Sequence, residues 1–163
     1  MASLFGFFRN AAAVGRLTPE LRAELEPEGI LFVAEKVGVR QRFSGSVPGR
    51  HDALGVSRHR GVLVLTRRRA YALLPSAPRL TEPLIDRAWD GPQEGPAKVA
   101  IDASGLVLTI DLSRIDPRFS GEVSSTFKTP VPQDVLDALP AHALAFHVSP
   151  AYAFCLLGVR VRP

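Results

Sequence analysis

Along most of this chain apolar and polar positions alternate with the two-residue period of a half-buried strand, and helical spacing interrupts that pattern in two short stretches. Leu106, Leu108, Ile110 and Leu112 alternate with Val107, Thr109 and Asp111, and Val99 and Ile101 precede them across the tight turn at Ser104-Gly105. That pair is the clearest hairpin in the chain. Gly121 to Thr129 sets Val123, Ser125 and Phe127 against Glu122, Ser124, Thr126 and Lys128, as a strand with one wet face would. Val62 to Thr66 and Ala70 to Leu74 are continuous apolar runs, which predict a second hairpin about an arginine-rich turn, Arg67 to Arg69. Ile30 to Val37 and Val39 to Val47 are rich in strand formers, with Gly38 as a bulge or bend between them, and Leu84 to Trp89 reads as a short strand. Pro48 to Gly61 reads as a long basic loop, and loops of that length are uncommon enough to mark it as a candidate functional feature.

The first helical stretch follows Thr18-Pro19-Glu20, where Thr18 suits an N-cap, Pro19 the first turn and Glu20 the positive end of the helix dipole. Leu21 and Leu25 then share a face, and Pro27 and Gly29 close the helix. The second stretch places Val131, Val135, Leu136 and Leu139 on a narrow apolar stripe that should pack on the sheet, and Pro140 stops it. Beyond it, residues 141–163 are too apolar for a solvated terminus, and short apolar runs leave strand and helix open there. They are expected to be buried in the fold or against another chain.

The length of 163 residues suits one domain, with a core at about residues 17–140, an aromatic N-terminal segment 1–16 and the apolar extension 141–163. Apolar residues make up 46% and charged residues 22%, which excludes the composition of a disordered chain. The cations are 17 Arg and 3 Lys, a bias that GC-rich codon usage in a bacterial-type sequence explains as readily as selection, and the net charge of +4 tilts the choice of partner toward anions. Cys155 is the single cysteine, so no internal disulfide forms, and a reducing, cytoplasmic setting is expected. The N-terminus lacks a basic stretch ahead of Leu4, Phe5, Phe7 and Phe8, which argues against a secretory signal, and no run is long and apolar enough to span a bilayer. A peripheral position at the inner face of the membrane stays open.

About seven strands followed by one amphipathic helix is the order of a partly open, mostly antiparallel α+β barrel, with the helix covering exposed edges. The stretch Gly61-Val62-Leu63-Val64-Leu65-Thr66-Arg67-Arg68-Arg69-Ala70-Tyr71-Ala72-Leu73 resembles the hairpin of GRAM-like and bacterial pleckstrin-homology-like (PH-like) domains. The resemblance in element order runs over about residues 17–140. It implies a PH-like barrel and an adaptor that binds lipid headgroups, peptides or other subunits.

Six arginines are candidates for an anion or headgroup cradle: Arg50, Arg58 and Arg60 in the expected loop, and Arg67, Arg68 and Arg69 in the turn, because guanidinium forks pair bidentately with phosphate oxygens. Such a cradle requires loop and turn to meet. Phe5, Phe7, Phe8, Phe146, Tyr152 and Phe154 are candidates for an interaction surface. His51, His59, His142 and His147 show no familiar ligand spacing and the lone cysteine supplies no CxxC pair, so neither a metal nor a cofactor is expected. No nucleophile elbow, phosphate-binding glycine loop or dinucleotide fingerprint is present, and the sparse aromatic residues set nucleic acid below other partners. The leading expectation is a non-catalytic adaptor that docks to a protein partner or to itself through its apolar termini. Its alternatives are a peripheral reader of anionic lipid and a small enzyme using His51, Asp52 and His59.

Overall fold

A computed structural model describes residues 15–75 and 82–159, so Phe5, Phe7 and Phe8 lie outside the described residues. Thr18 caps the first helix, α1 (Pro19–Leu25), by accepting a hydrogen bond from the Leu21 N–H at 3.2 Å, and Gly29 closes the following 3-10 turn with a left-handed φ. Eight strands follow among the described residues: β1 (Ile30–Val47), β2 (Arg50–Thr66), β3 (Arg69–Leu73), β4 (Ile85–Ala88), β5 (Ala97–Asp102), β6 (Gly105–Asp111), β7 (Ser120–Lys128) and β8 (Ala143–Phe146). Helix α2 (Gln133–Ala138) lies between β7 and β8, and α3 (Pro150–Leu156) follows β8.

The sheet order is β4-β3-β2-β1-β7-β6-β5-β8, and every pairing is antiparallel. The first four strands thus form one meander and β5, β6 and β7 another, joined where β1 meets β7. The two edge strands, β4 and β8, approach each other and nearly close a barrel. Across the remaining seam Arg87 donates to the His147 carbonyl at 3.1 Å and lies 4.6 Å from the centre of the Phe146 ring.

The inner face collects the alternating apolar positions: Val39 and Phe43 of β1, Leu63 and Leu65 of β2, Leu106, Leu108 and Ile110 of β6, and Val123 and Phe127 of β7. A second, smaller core lies outside the barrel, where Leu17, Leu21 and Leu25 cover Val62 and Val64 of β2 and Tyr71 and Leu73 of β3. Covered on both faces, Val62 to Leu65 has no wet side, and this is why the segment reads as an unbroken apolar run.

Three sequence expectations change. Ile30 to Val47 is one strand, and its pairing with β2 shifts register between Ile30 and Phe32, between Ala34 and Val37, where Lys36 takes a φ of 51°, and between Phe43 and Gly45, but not at Gly38. Pro48 to Gly61 is not a loop: Pro48-Gly49 alone turns the chain, and Arg50 onward pairs with β1 along its length. The strand count rises from about seven to eight because the apolar extension contributes β8 on the free side of β5. The rest of that extension is α3, whose Tyr152, Ala153, Phe154 and Leu156 join the core, with Phe154 edge-on to Phe119 at 5.2 Å. No helix among the described residues is long and apolar enough to cross a membrane.

Candidate anion-binding face

Register decides which arginines can act together. Gly38 of β1 stands opposite Arg60 of β2 on one side and Lys128 of β7 on the other, and Arg40 stands opposite Arg58 and Thr126. Directly opposed residues project to the same side of an antiparallel sheet, and positions two apart share a face. Val37 and Val39 turn into the core. Gly38, Arg40, Arg58, Arg60 and Lys128 therefore share the outer face of the adjoining strands β2, β1 and β7.

These residues surround a hollow of about 290 Å³, lined by Gly38, Val39, Arg40, Arg58, His59, Arg60 and Lys128. Four permanent cations line it and no carboxylate does. None of the four makes an ion pair among the described residues. Arg60 donates to the Lys36 carbonyl at 3.1 Å, while the Nε of Arg40 is buried without a hydrogen-bond partner. Two carboxylates near this face are held elsewhere: Glu35 accepts from the Leu17 N–H at 2.7 Å, and Asp102 accepts from the N–H and hydroxyl of Ser104. Asp102 is in row with Lys128 across Gly105, two strand spacings or about 10 Å away, near the range at which salt screens a charge. The Ser104 hydroxyl and N–H hold the Asp102 carboxyl below the usual range, so it stays ionised.

His59 alternates to the opposite side of β2 from Arg58 and Arg60, and its Nε2 shares a hydrogen bond of 2.9 Å with the Ser57 hydroxyl. Burial lowers the pKa of its imidazole below the ordinary value. Ser57 does not line the hollow, so this serine–histidine contact faces no substrate space there. Nor do the loop residues suggested for acid–base chemistry converge. His51 and Asp52 are strand neighbours that project to opposite faces, and Asp52 is bound to the Arg50 Nε at 2.9 Å. His59 is about 26 Å along the strand from His51. Among the described residues no cluster of His, Cys, Asp and Glu comes together to hold a metal.

The six arginines singled out from sequence divide into three groups. Arg58 and Arg60 belong to the hollow. Arg50, at the far end of the β1–β2 hairpin, pairs with Asp52, donates to the Leu157 carbonyl at 2.9 Å and lies 5.0 Å from the centre of the Phe43 ring. The turn arginines are at the opposite end of β2, about 23 Å from Arg60. There Arg69 is structural: it binds Glu28 at 2.8 Å and Asp86 at 2.9 Å, and these bonds outweigh burial and strengthen its hold on its proton. Loop and turn do not meet, because the supposed loop is an extended strand that carries them apart.

Arg40 and Lys128 were missed in the sequence because their role depends on the pairing of β1 with β2 and β7. The available signal was a polar, cationic position on the wet face of each alternating strand. Phe146, Tyr152 and Phe154, expected on an interaction surface, are buried in the protein's own core, with the Tyr152 hydroxyl donating to the Leu84 carbonyl at 2.7 Å. The chain matches no protein-family model, no curated protein and no solved structure.

Proposed function

We propose that this chain is a non-catalytic binding module of PH-like design that seats an anionic ligand on the outer face of β2, β1 and β7, as a peripheral reader of anionic membranes. The observation that carries this reading is the hollow around Gly38, with four cations and no carboxylate in its lining. Unpaired guanidinium groups brought together by strand register gain from an anion what they lack from the protein. The PH-like part is supported by the order of two antiparallel meanders joined through a long β1 and followed by a helix. Docking through an apolar C-terminus loses its support, because that segment's aromatic residues pack at home.

Co-sedimentation with neutral and anionic vesicles tests the proposal. Binding is expected on anionic vesicles, weakened by salt and abolished in the double variant Arg58→Glu/Arg60→Glu. Equal binding to neutral vesicles, or an unaffected double variant, would count against it.

Docking of a protein strand is a second reading with an observation of its own. Among the described residues β2 is paired on both sides only at Val62 to Leu65, so Arg50 to Gly61 presents an open edge, on which Leu54 is 58% and Val56 47% exposed. If the edge carries a self-association site, Leu54→Glu/Val56→Glu lowers the mass seen in sedimentation equilibrium. An unchanged monomer mass would remove that reading.

A further inference from the structure

Gly38 has no structural reason to be glycine. Gly45, Gly105 and Gly121 are forced: each takes a positive φ, and an added Cβ would stand 1.9–2.1 Å from a backbone oxygen of the neighbouring strand. Gly38 shows neither constraint, since its φ lies outside the left-handed region and a Cβ built on it meets nothing within 4 Å. Glycine inside a strand weakens it, and one that neither its own φ nor a neighbouring atom requires suits a place where a ligand approaches the backbone closely. The open space above Gly38 is the floor of the cationic hollow, with Arg60 and Lys128 in register on either side and Arg40 opposite Arg58 one step along the same face.

We propose that Gly38 is the floor of a phosphate seat, in which the phosphoryl group of a phosphate monoester rests against the β1 backbone and is held by Arg40, Arg58, Arg60 and Lys128. The inference rests on the reading of this face as anion-binding and narrows it to one chemistry. A carboxylate is planar, carries one charge and is satisfied by a single guanidinium fork. A phosphate monoester carries nearly two charges and spreads them over three oxygens that accept from several directions. Four cations arriving from three strands fit the second geometry. Any side chain at position 38 would occupy the space the phosphoryl group needs. The monoester is carried by a lipid headgroup or by a soluble phosphate compound, and the chemistry at Gly38 is the same for both.

The test combines Gly38→Ala and Gly38→Val with two kinds of probe. Soluble probes are the monoesters phenyl phosphate and glycerol 3-phosphate, followed by calorimetry. The membrane probe is phosphatidic acid vesicles compared with phosphatidylglycerol vesicles of matched charge. The wild-type protein is expected to bind a monoester probe in preference to the charge-matched diester surface. Binding to the soluble probes assigns a soluble source, and binding to phosphatidic acid alone assigns a lipid; either outcome supports the seat. Both variants are expected to melt at or above the wild-type temperature, since nothing opposes the added atoms, while Gly38→Val weakens monoester binding by about tenfold or more. Wild-type protein that binds neither probe, or Gly38→Val that binds as the wild type does, overturns the inference. If Arg58→Glu/Arg60→Glu loses anionic vesicles while Gly38→Val keeps its monoester affinity, the anionic face stands and the phosphate seat falls. If neither set of changes weakens binding, both fall.

Discussion

Arg40 and Arg58 oppose each other directly across β1 and β2, an arrangement of like charges that costs stability in the free protein. Replacing Arg58 with Glu turns repulsion into attraction, so Arg58→Glu is expected to raise the unfolding free energy by about 0.2–1 kcal/mol while weakening anion binding. A loss of both together would mean that Arg58 has a packing role instead. Arg69 behaves in the opposite way. Removing it strands Glu28 in a half-buried place, so Arg69→Ala is expected to cost about 2 kcal/mol in denaturant unfolding. The exposed neighbour Arg68 is expected to change stability by less than about 0.5 kcal/mol on truncation. At His59 burial depresses the pKa below its ordinary 6.5, so the unfolded chain binds the proton more readily than the folded one. Its stabilising contribution is therefore whole above about pH 6.5 and lost as pH falls, and the decline in melting temperature toward about pH 5 should be shallower in His59→Gln. Identical slopes would assign the acid sensitivity to other groups.

At the level of elements, the parts of the fold that local chemistry determines were legible in the sequence. Thr18 and Pro19 start α1 as expected, while Gly29 ends the 3-10 turn that follows it, and Thr18→Ala should cost about 1 kcal/mol, read by thermal or denaturant melts. The β5–β6 and β2–β3 hairpins follow from alternation and from the turns at Ser104-Gly105 and Arg67-Arg68. The first half of β2 was not legible, because His51, Asp52, Ser57 and four glycine or arginine positions between Gly49 and Gly61 give it the polarity of a loop. It is a strand because β1 offers a continuous partner, and its polarity reflects an edge with one neighbour instead of two. The inner polar row, Gln41 opposite Ser57 and Ser125, was legible only in part: alternation sets Ser125 on the dry face with Val123 and Phe127, but the row it forms with Gln41 emerges only from the register of three strands. The candidate site followed the same division. Arg58 and Arg60 could be singled out as cations, but their partners Arg40 and Lys128 emerge only from three-strand register.

For the whole molecule, the apolar extension is part of the fold and not an appendage. A chain ending at Pro140 would lose β8 and α3, and with them the burial of Leu144, Phe146, Tyr152, Phe154, Leu156 and Leu157. Each such side chain contributes about 1.5–3 kcal/mol when buried, and the sum exceeds the typical stability of about 5–15 kcal/mol at the upper end of that range. The truncated chain is expected to lose cooperative unfolding in calorimetry, and a sharp transition in it would show that residues 17–140 suffice as a core. Within the intact barrel, the outer face divides into an apolar patch covered by α1 and a cationic patch left to a ligand. The most direct test of that division is a titration of ¹⁵N-labelled protein with inorganic pyrophosphate, followed by amide shifts. Changes are expected to centre on Gly38 to Arg40, Arg58 to Arg60 and Lys128. Shifts centred instead on the Arg67 to Arg69 turn or on the Pro48-Gly49 tip, or no shifts at all, would contradict an anion-binding face at the junction of β2, β1 and β7.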